Sequence, residues 1–227
     1  MPSVDCEPQR IDLEDGQAVS GLLQGPPDPL ACLVLAHGAG AGMTHPFLSA
    51  VAAGLAARRI ATLRYQFPYM ERGSRRPDQP RLAQATVRAA LAAARRLVPE
   101  IPLFAGGKSF GGRMTSQAQA ESPLPGVRGL VFLGFPLHPP GRPSDERGRH
   151  LFDVQIPMLF LQGTHDDFAS VLLLQPLIER LGARATLELI ADADHSFRVP
   201  ARTGRKSDEI VGAMLETLVA WMARVET

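Results

Sequence analysis

The chain has 227 residues, 45% of them hydrophobic and 21% charged, a balance that suits a globular protein and excludes a disordered or fibrous one. A formal net charge of +1 leaves no global electrostatic case for nucleic acid or an anionic membrane as partner. Cys6 and Cys32 are the only cysteines; they lack metal-ligand spacing and are read as reduced thiols in a protein large enough to need neither disulfide nor metal staple.

The N-terminal "MPSVDCEPQR" has two acids and no apolar h-region, so a signal peptide is not expected. No apolar run approaches the length that spans a bilayer, and the expected location is the cytoplasm. Residues 10–14 and 18–23 then form an expected antiparallel hairpin around Asp15-Gly16, a pair suited to a tight primed turn. After the proline-rich "GPPDP" comes "ACLVLAHG", an apolar run that fits a strand covered on both faces.

From there strands and helices alternate. "HPFLSAVAAGLAARR" reads as a helix with Pro46 in its first turn, "IATLRY" as a strand, and "PRLAQATVRAALAAARRLV" as a long helix stopped by Pro99. "PLFAGG" is a strand that turns into a helix just after Ser109. "VRGLVFLGF" and "PMLFLQG" are two more buried strands, "ASVLLLQPLIERLG" a helix that Pro176 should kink, and "ATLELI" the last strand. The final helix carries Ile210, Met214, Leu218, Trp221 and Val225 on one face. Repeated strand–helix–strand units predict one α/β domain over residues 1–227: a mostly parallel, twisted sheet of about seven to eight strands with helices on both faces and little or no cap. Residues 67–80 and 136–150 read as irregular loops at the carboxyl edge of that sheet, where open α/β folds bind ligands.

"FAGGKSFGGR" admits two readings. Gly107-Lys108-Ser109 resembles the end of a phosphate-binding P-loop, but that loop needs a glycine where Pro102 stands, and the strand leaves no room for a ring of amides. Gly107-Lys108-Ser109-Phe110-Gly111 fits the G-x-S-x-G elbow, in which a sharp strand-to-helix turn presents a serine and crowds the residues two before and two after it. Serine needs a base. Each at the end of its own strand, Ser109, Asp166 and His195 stand in the order nucleophile, acid, base.

Within "THDDF", Asp166 is preferred to Asp167 because it lies three residues past Gly163. Asp192 and Asp194, beside His195, suit turn formation, and His165 is read as a loop residue. Oxyanion donors are expected from the amide of Phe110 and from Ala39 or Gly40 in "HGAGAGM", with His37 bracing that loop. Tyr65, Phe67, Tyr69 and Met70 are read as core residues, with an acyl-pocket wall as the alternative.

Together these motifs resemble the α/β-hydrolase superfamily over nearly the whole chain. "HGAGAGM", "GGKSFGGR", "GFPLHPPGRP", "FLQGTHDDF" and "DADHSF" are similar to its dienelactone-hydrolase-like group, and more closely to small hydrolases related to a nonspecific-lethal chromatin complex subunit and its testis-expressed homologues. True dienelactone hydrolases use a cysteine where this chain has Ser109, and the closer branch often has proline where it has Asp167. The resemblance implies a serine hydrolase of carboxylic esters or thioesters, with a small-molecule substrate, no metal and no organic cofactor; a homodimer stays open. Two other readings are an idle hydrolase fold used as an interaction scaffold and a small peptidase or amidase. Arg72, Arg75, Arg76, Arg81, Arg142, Arg147 and Arg149, in or beside the two irregular loops, are read as solvated charges ahead of a cationic pocket rim.

Overall fold

A computed structural model describes residues 6–226. Its eight strands are β1 (Cys6–Asp12), β2 (Ala18–Gln24), β3 (Ala31–Ala36), β4 (Ile60–Tyr65), β5 (Leu103–Lys108), β6 (Val127–Leu133), β7 (Met158–Gly163) and β8 (Ala185–Ile190). They form one open sheet in the order β1-β2-β4-β3-β5-β6-β7-β8. β1 and β2 pair antiparallel, β2 meets β4 antiparallel, and the six strands from β4 to β8 run parallel. The expected α/β-hydrolase architecture is therefore present, with the antiparallel hairpin at one edge.

Local chemistry accounts for the elements. Along β3, Cys32, Val34 and Ala36 enter one core cluster while Ala31, Leu33 and Leu35 enter the other, the alternation of a strand covered on both faces. β6 and β7 divide in the same way, with Phe132 and Phe160 on one side and Val131 and Leu159 on the other. Helices α1 (Pro46–Ala56), α2 (Pro68–Glu71) and α3 (Pro80–Leu97) each open on a proline, whose fixed φ suits the first turn and whose missing N–H costs nothing there. α4 (Phe110–Glu121) and α5 (Val171–Leu181) pack with α3 on one face of the sheet; α1 and α6 (Ser207–Glu226) cover the other. Ile210, Met214, Leu218 and Trp221 of α6 are buried as their spacing predicts, and Val225 packs at the margin. Among the described residues no helix is long and apolar enough to cross a membrane.

Three local details differ from expectation. The hairpin turn is a three-residue loop: the Leu13 amide donates to the Gln17 carbonyl at 2.8 Å and Gly16 adopts φ +82°. This is a type I turn closed by a left-handed glycine, favoured here because the Asp15 carboxylate accepts the Gln17 amide at 3.0 Å. Residues 67–80 contain α2, too short to show periodicity, and the 136–150 loop runs into a 3₁₀ helix over Glu146–Asp153. Helix α5 forms where expected and holds Pro176 inside it.

The strand order places the site. After β3 the chain crosses to β4 on one side, and after β5 it crosses to β6 on the other. Helices leaving adjacent strands in opposite directions open a crevice at their carboxyl ends. The loop after β3 and the turn after β5 both meet there.

Candidate active site

Ser109 sits at the tip of that turn with φ 50° and ψ −114°, a conformation that L-residues rarely adopt. Such a backbone survives only where its surroundings hold it. A Cβ on Gly107 would collide with the Ala36 carbonyl oxygen, and one on Gly111 would lie 2.6 Å from both the Ala36 Cβ and the His37 carbonyl oxygen. Glycine at both places lets β5, β3 and α4 approach closely enough to form the elbow. Gly107→Ala is therefore expected to destabilise the protein by about 3 kcal/mol or more, read as a lowered urea midpoint with the slope unchanged.

The serine hydroxyl is in a chain of hydrogen bonds. Ser109 Oγ lies 2.8 Å from His195 Nε2, and His195 Nδ1 lies 2.7 Å from Asp166 Oδ2. A carboxylate only accepts, so Nδ1 carries the proton and Nε2 is left as the acceptor facing Ser109. Asp166 is buried and held in place: Oδ1 accepts the Phe168 amide at 2.7 Å, and Oδ2 also accepts the Gln162 side-chain amide. The Phe168 ring lies across the imidazole, with centroids 4.3 Å apart.

The competing residues lie elsewhere. Asp167 and His165 are exposed. Asp194 accepts the amides of Ser196 at 2.8 Å and Arg198 at 2.9 Å, and Asp192 holds a left-handed φ of +61°, so both shape the turn that carries His195. His37 is fully buried; its Nδ1 donates to the Gly38 carbonyl at 2.8 Å and its Nε2 accepts the Phe67 amide at 3.1 Å. It ties the loop after β3 to the segment after β4.

Of the expected oxyanion donors, Phe110 opens α4, whose first-turn amides have no carbonyl one turn behind them. Ala39 and Gly40 separate. The Gly40 amide donates to the Tyr69 hydroxyl at 3.1 Å, whereas Ala39 lines the same cavity as Ser109 and His195. That cavity, about 610 Å³, is walled by Ala39, Phe47, Leu48, Phe197 and Val211. Tyr65, Phe67 and Tyr69 are core residues that take no part in its wall. None of the seven loop arginines lines it either; Arg72 pairs with Asp78 at 2.7 Å and Arg149 with Glu146 at 3.5 Å. Its charged groups are Lys108, Arg198 and Asp208.

Gln162, Phe168 and Lys108 also stand at the site, where none of them was expected. Gln162 had a signal: it is the one polar side chain in the buried strand MLFLQG. A buried polar group on such a strand must have partners, and these prove to be Asp166 and the Phe135 amide, which donates to Gln162 at 2.8 Å.

Burial holds the imidazoles of His37 and His150 below the ordinary value of 6.5, His150 at about 4 with the Arg113 charge adding to the effect. Both stay neutral in the folded protein where the unfolded chain takes up protons. Stability is therefore present above pH 6.5 and lost as pH falls towards 4. Calorimetry should show a lower Tm at pH 5 than at pH 7.5, and a shallower decline in His150→Gln.

Residues 29–223 match the family described as "Alpha/beta hydrolase domain". In fold the chain is similar to a dienelactone hydrolase from Anabaena variabilis, with a TM-score of 0.77, 20% identity and coverage of 97% of each chain. It is also similar to XC6422 from Xanthomonas campestris, described as an α/β serine hydrolase without lid (TM-score 0.74, 21% identity, 97% of this chain and 96% of that one). The esterase domain of a Rhodothermus marinus protein matches with a TM-score of 0.71, 17% identity and coverage of 97% and 98%.

Proposed function

Because this chain belongs to the alpha/beta hydrolase domain family, we propose that it is a serine hydrolase that cleaves carboxylic esters or thioesters through Ser109, His195 and Asp166. The reading is carried by one observation, the 2.8 Å and 2.7 Å contacts that link Ser109 Oγ through the imidazole to Asp166 beside an open cavity.

In the proposed reaction, Ser109 Oγ attacks the carbonyl carbon while His195 Nε2 takes its proton. Asp166 holds the ring and stabilises the imidazolium that forms. The amides of Phe110 and Ala39 receive the oxyanion, and Ala39 is preferred to Gly40 because the Gly40 amide already donates to Tyr69. As the tetrahedral intermediate collapses, Nε2 returns the proton to the leaving alcohol or thiol. Water then attacks the acyl-enzyme, giving its proton to Nε2, and the acid departs from a regenerated Ser109. The apolar cavity walls suit a short acyl chain or a small ring. The narrower kinship with hydrolases related to the chromatin-complex subunit belongs to the same proposal and rests on "GGKSFGGR" and "FLQGTHDDF".

A fluorophosphonate probe tests the assignment. It should label the folded protein at one residue, mapped by mass spectrometry to Ser109, and the protein should hydrolyse short p-nitrophenyl esters. A folded protein that neither labels nor turns over any ester favours the scaffold reading.

A further inference from the structure

Lys108 has no part in the reaction described above, yet its side chain ends against the base. It is the last residue of β5, directly before Ser109, and its Nζ donates to the backbone carbonyl of His195 at 2.6 Å. The ammonium also lies over the Phe197 ring, 5.4 Å from its centroid. Room for it comes from Gly134, where a Cβ would stand 2.9 Å from Lys108 Nζ and 3.4 Å from His195 Nδ1.

The loop that carries His195 needs such a hold. Asp192 and Phe197, on either side of it, both have φ +61°, a costly conformation for residues other than glycine. Asp194 organises the turn from within, and the Asp192 amide ties it to Thr164 at 2.8 Å. Besides the Ser109–His195 contact, the Lys108 bond is the hydrogen bond among the described residues that joins this loop to β5, the strand that presents the nucleophile.

We propose that Lys108 is a positioning residue, whose ammonium holds the His195 carbonyl so that the ring stays aligned between Ser109 and Asp166, and whose deprotonation in alkaline solution loosens that alignment. The inference rests on the serine-hydrolase reading. The titratable and charged groups around Nζ are Asp166 after β7, Asp194, His195 and Arg198 after β8, and, across the cavity, His45 before α1 and Asp208 of α6. Burial lowers the Lys108 amine to about 8, against the pull of Asp166 and Asp194. A charge-assisted hydrogen bond is roughly twice as strong as a neutral one, so the tie is full below about pH 8 and weakens as pH rises through it.

The test compares wild type with Lys108→Met, which keeps the length and apolar stem but has no donor. For p-nitrophenyl acetate from pH 6.5 to 9.5, wild-type kcat should fall above about pH 8. In Lys108→Met, kcat at pH 7 should be about tenfold to a hundredfold lower, KM should stay within about twofold, and the alkaline fall should vanish. Hydrogen–deuterium exchange of residues 192–198 at pH 7 should quicken. If Lys108→Met does not fold, Lys108→Gln carries the same comparison, keeping a neutral donor and again losing the alkaline fall. Wild-type kcat in the variant, an alkaline fall retained in it, or unchanged exchange in 192–198 overturns the proposal. A wild-type protein without esterase activity defeats the hydrolase reading instead, and the exchange measurement still decides whether Lys108 holds the loop.

Discussion

Replacing Ser109 with alanine is expected to lower ester hydrolysis by at least about 10³-fold and to abolish fluorophosphonate labelling, with the fold intact. The magnitude follows from what remains. Without Oγ the imidazole has no nucleophile to activate, and only water held near the oxyanion donors could attack the carbonyl. Alanine and serine have similar difficulty at φ 50°, so the elbow should form equally well in the variant, and its circular dichroism melt should match wild type to within a few degrees. Labelling that persists in Ser109→Ala would place the reactive serine elsewhere. Ser116 would be examined next, since its hydroxyl lies 2.8 Å from His150 Nε2, although it is fully buried beneath the 3₁₀ helix.

The second large effect separates two adjacent aspartates. Asp166→Asn should reduce kcat by about 10³- to 10⁴-fold, while Asp167→Asn should change it less than about twofold. Asp166 is buried, and its two oxygens accept from His195, Gln162 and Phe168. An amide there cannot accept all three bonds. With its NH₂ towards Nδ1 it would stabilise the tautomer whose proton sits on Nε2, which cannot take the serine proton. Asp167 is exposed, so its charge is solvated and removing it disturbs nothing in the chain of hydrogen bonds. Steady-state kinetics on one short p-nitrophenyl ester suffices. Equal losses in the two variants would count against Asp166 as the residue that holds His195.

Much of the architecture was legible because its causes are local. Strands β3, β6 and β7 could be read from continuous apolar runs, since a strand covered on both faces needs apolar side chains on each. The helix that opens on Pro46 announced itself by proline at the first turn, and the long helix from Pro80 by the run that Pro99 stops. The elbow was legible for a related reason: close approach of three backbones requires missing side chains, and Gly107 and Gly111 mark it at fixed spacing. Where local signals were weak, the reading was coarser. A three-residue turn and a primed two-residue turn both welcome Asp-Gly, and only the pairing of Leu13 with Gln17 separates them.

The site divides along the same line. Ser109, Asp166 and His195 could be proposed from the sequence alone because each follows a recognisable strand, and chain order distinguishes them from five other histidines. That Asp166 is buried and Asp167 exposed, that the Gly40 amide is taken by Tyr69, and that Gln162 grips the acid are properties of residues brought together by the strand order. Lys108 is the sharpest case: in the sequence it resembled a phosphate-binding lysine, while in the fold its ammonium meets a carbonyl 87 residues away, in space left by Gly134. Periodicity, turn chemistry and glycine spacing act between neighbours in the chain, so the elements and the order of the candidate triad residues were legible from the residues alone. Hydrogen bonds between distant residues depend on which strands lie side by side, and that is a property of the folded sheet.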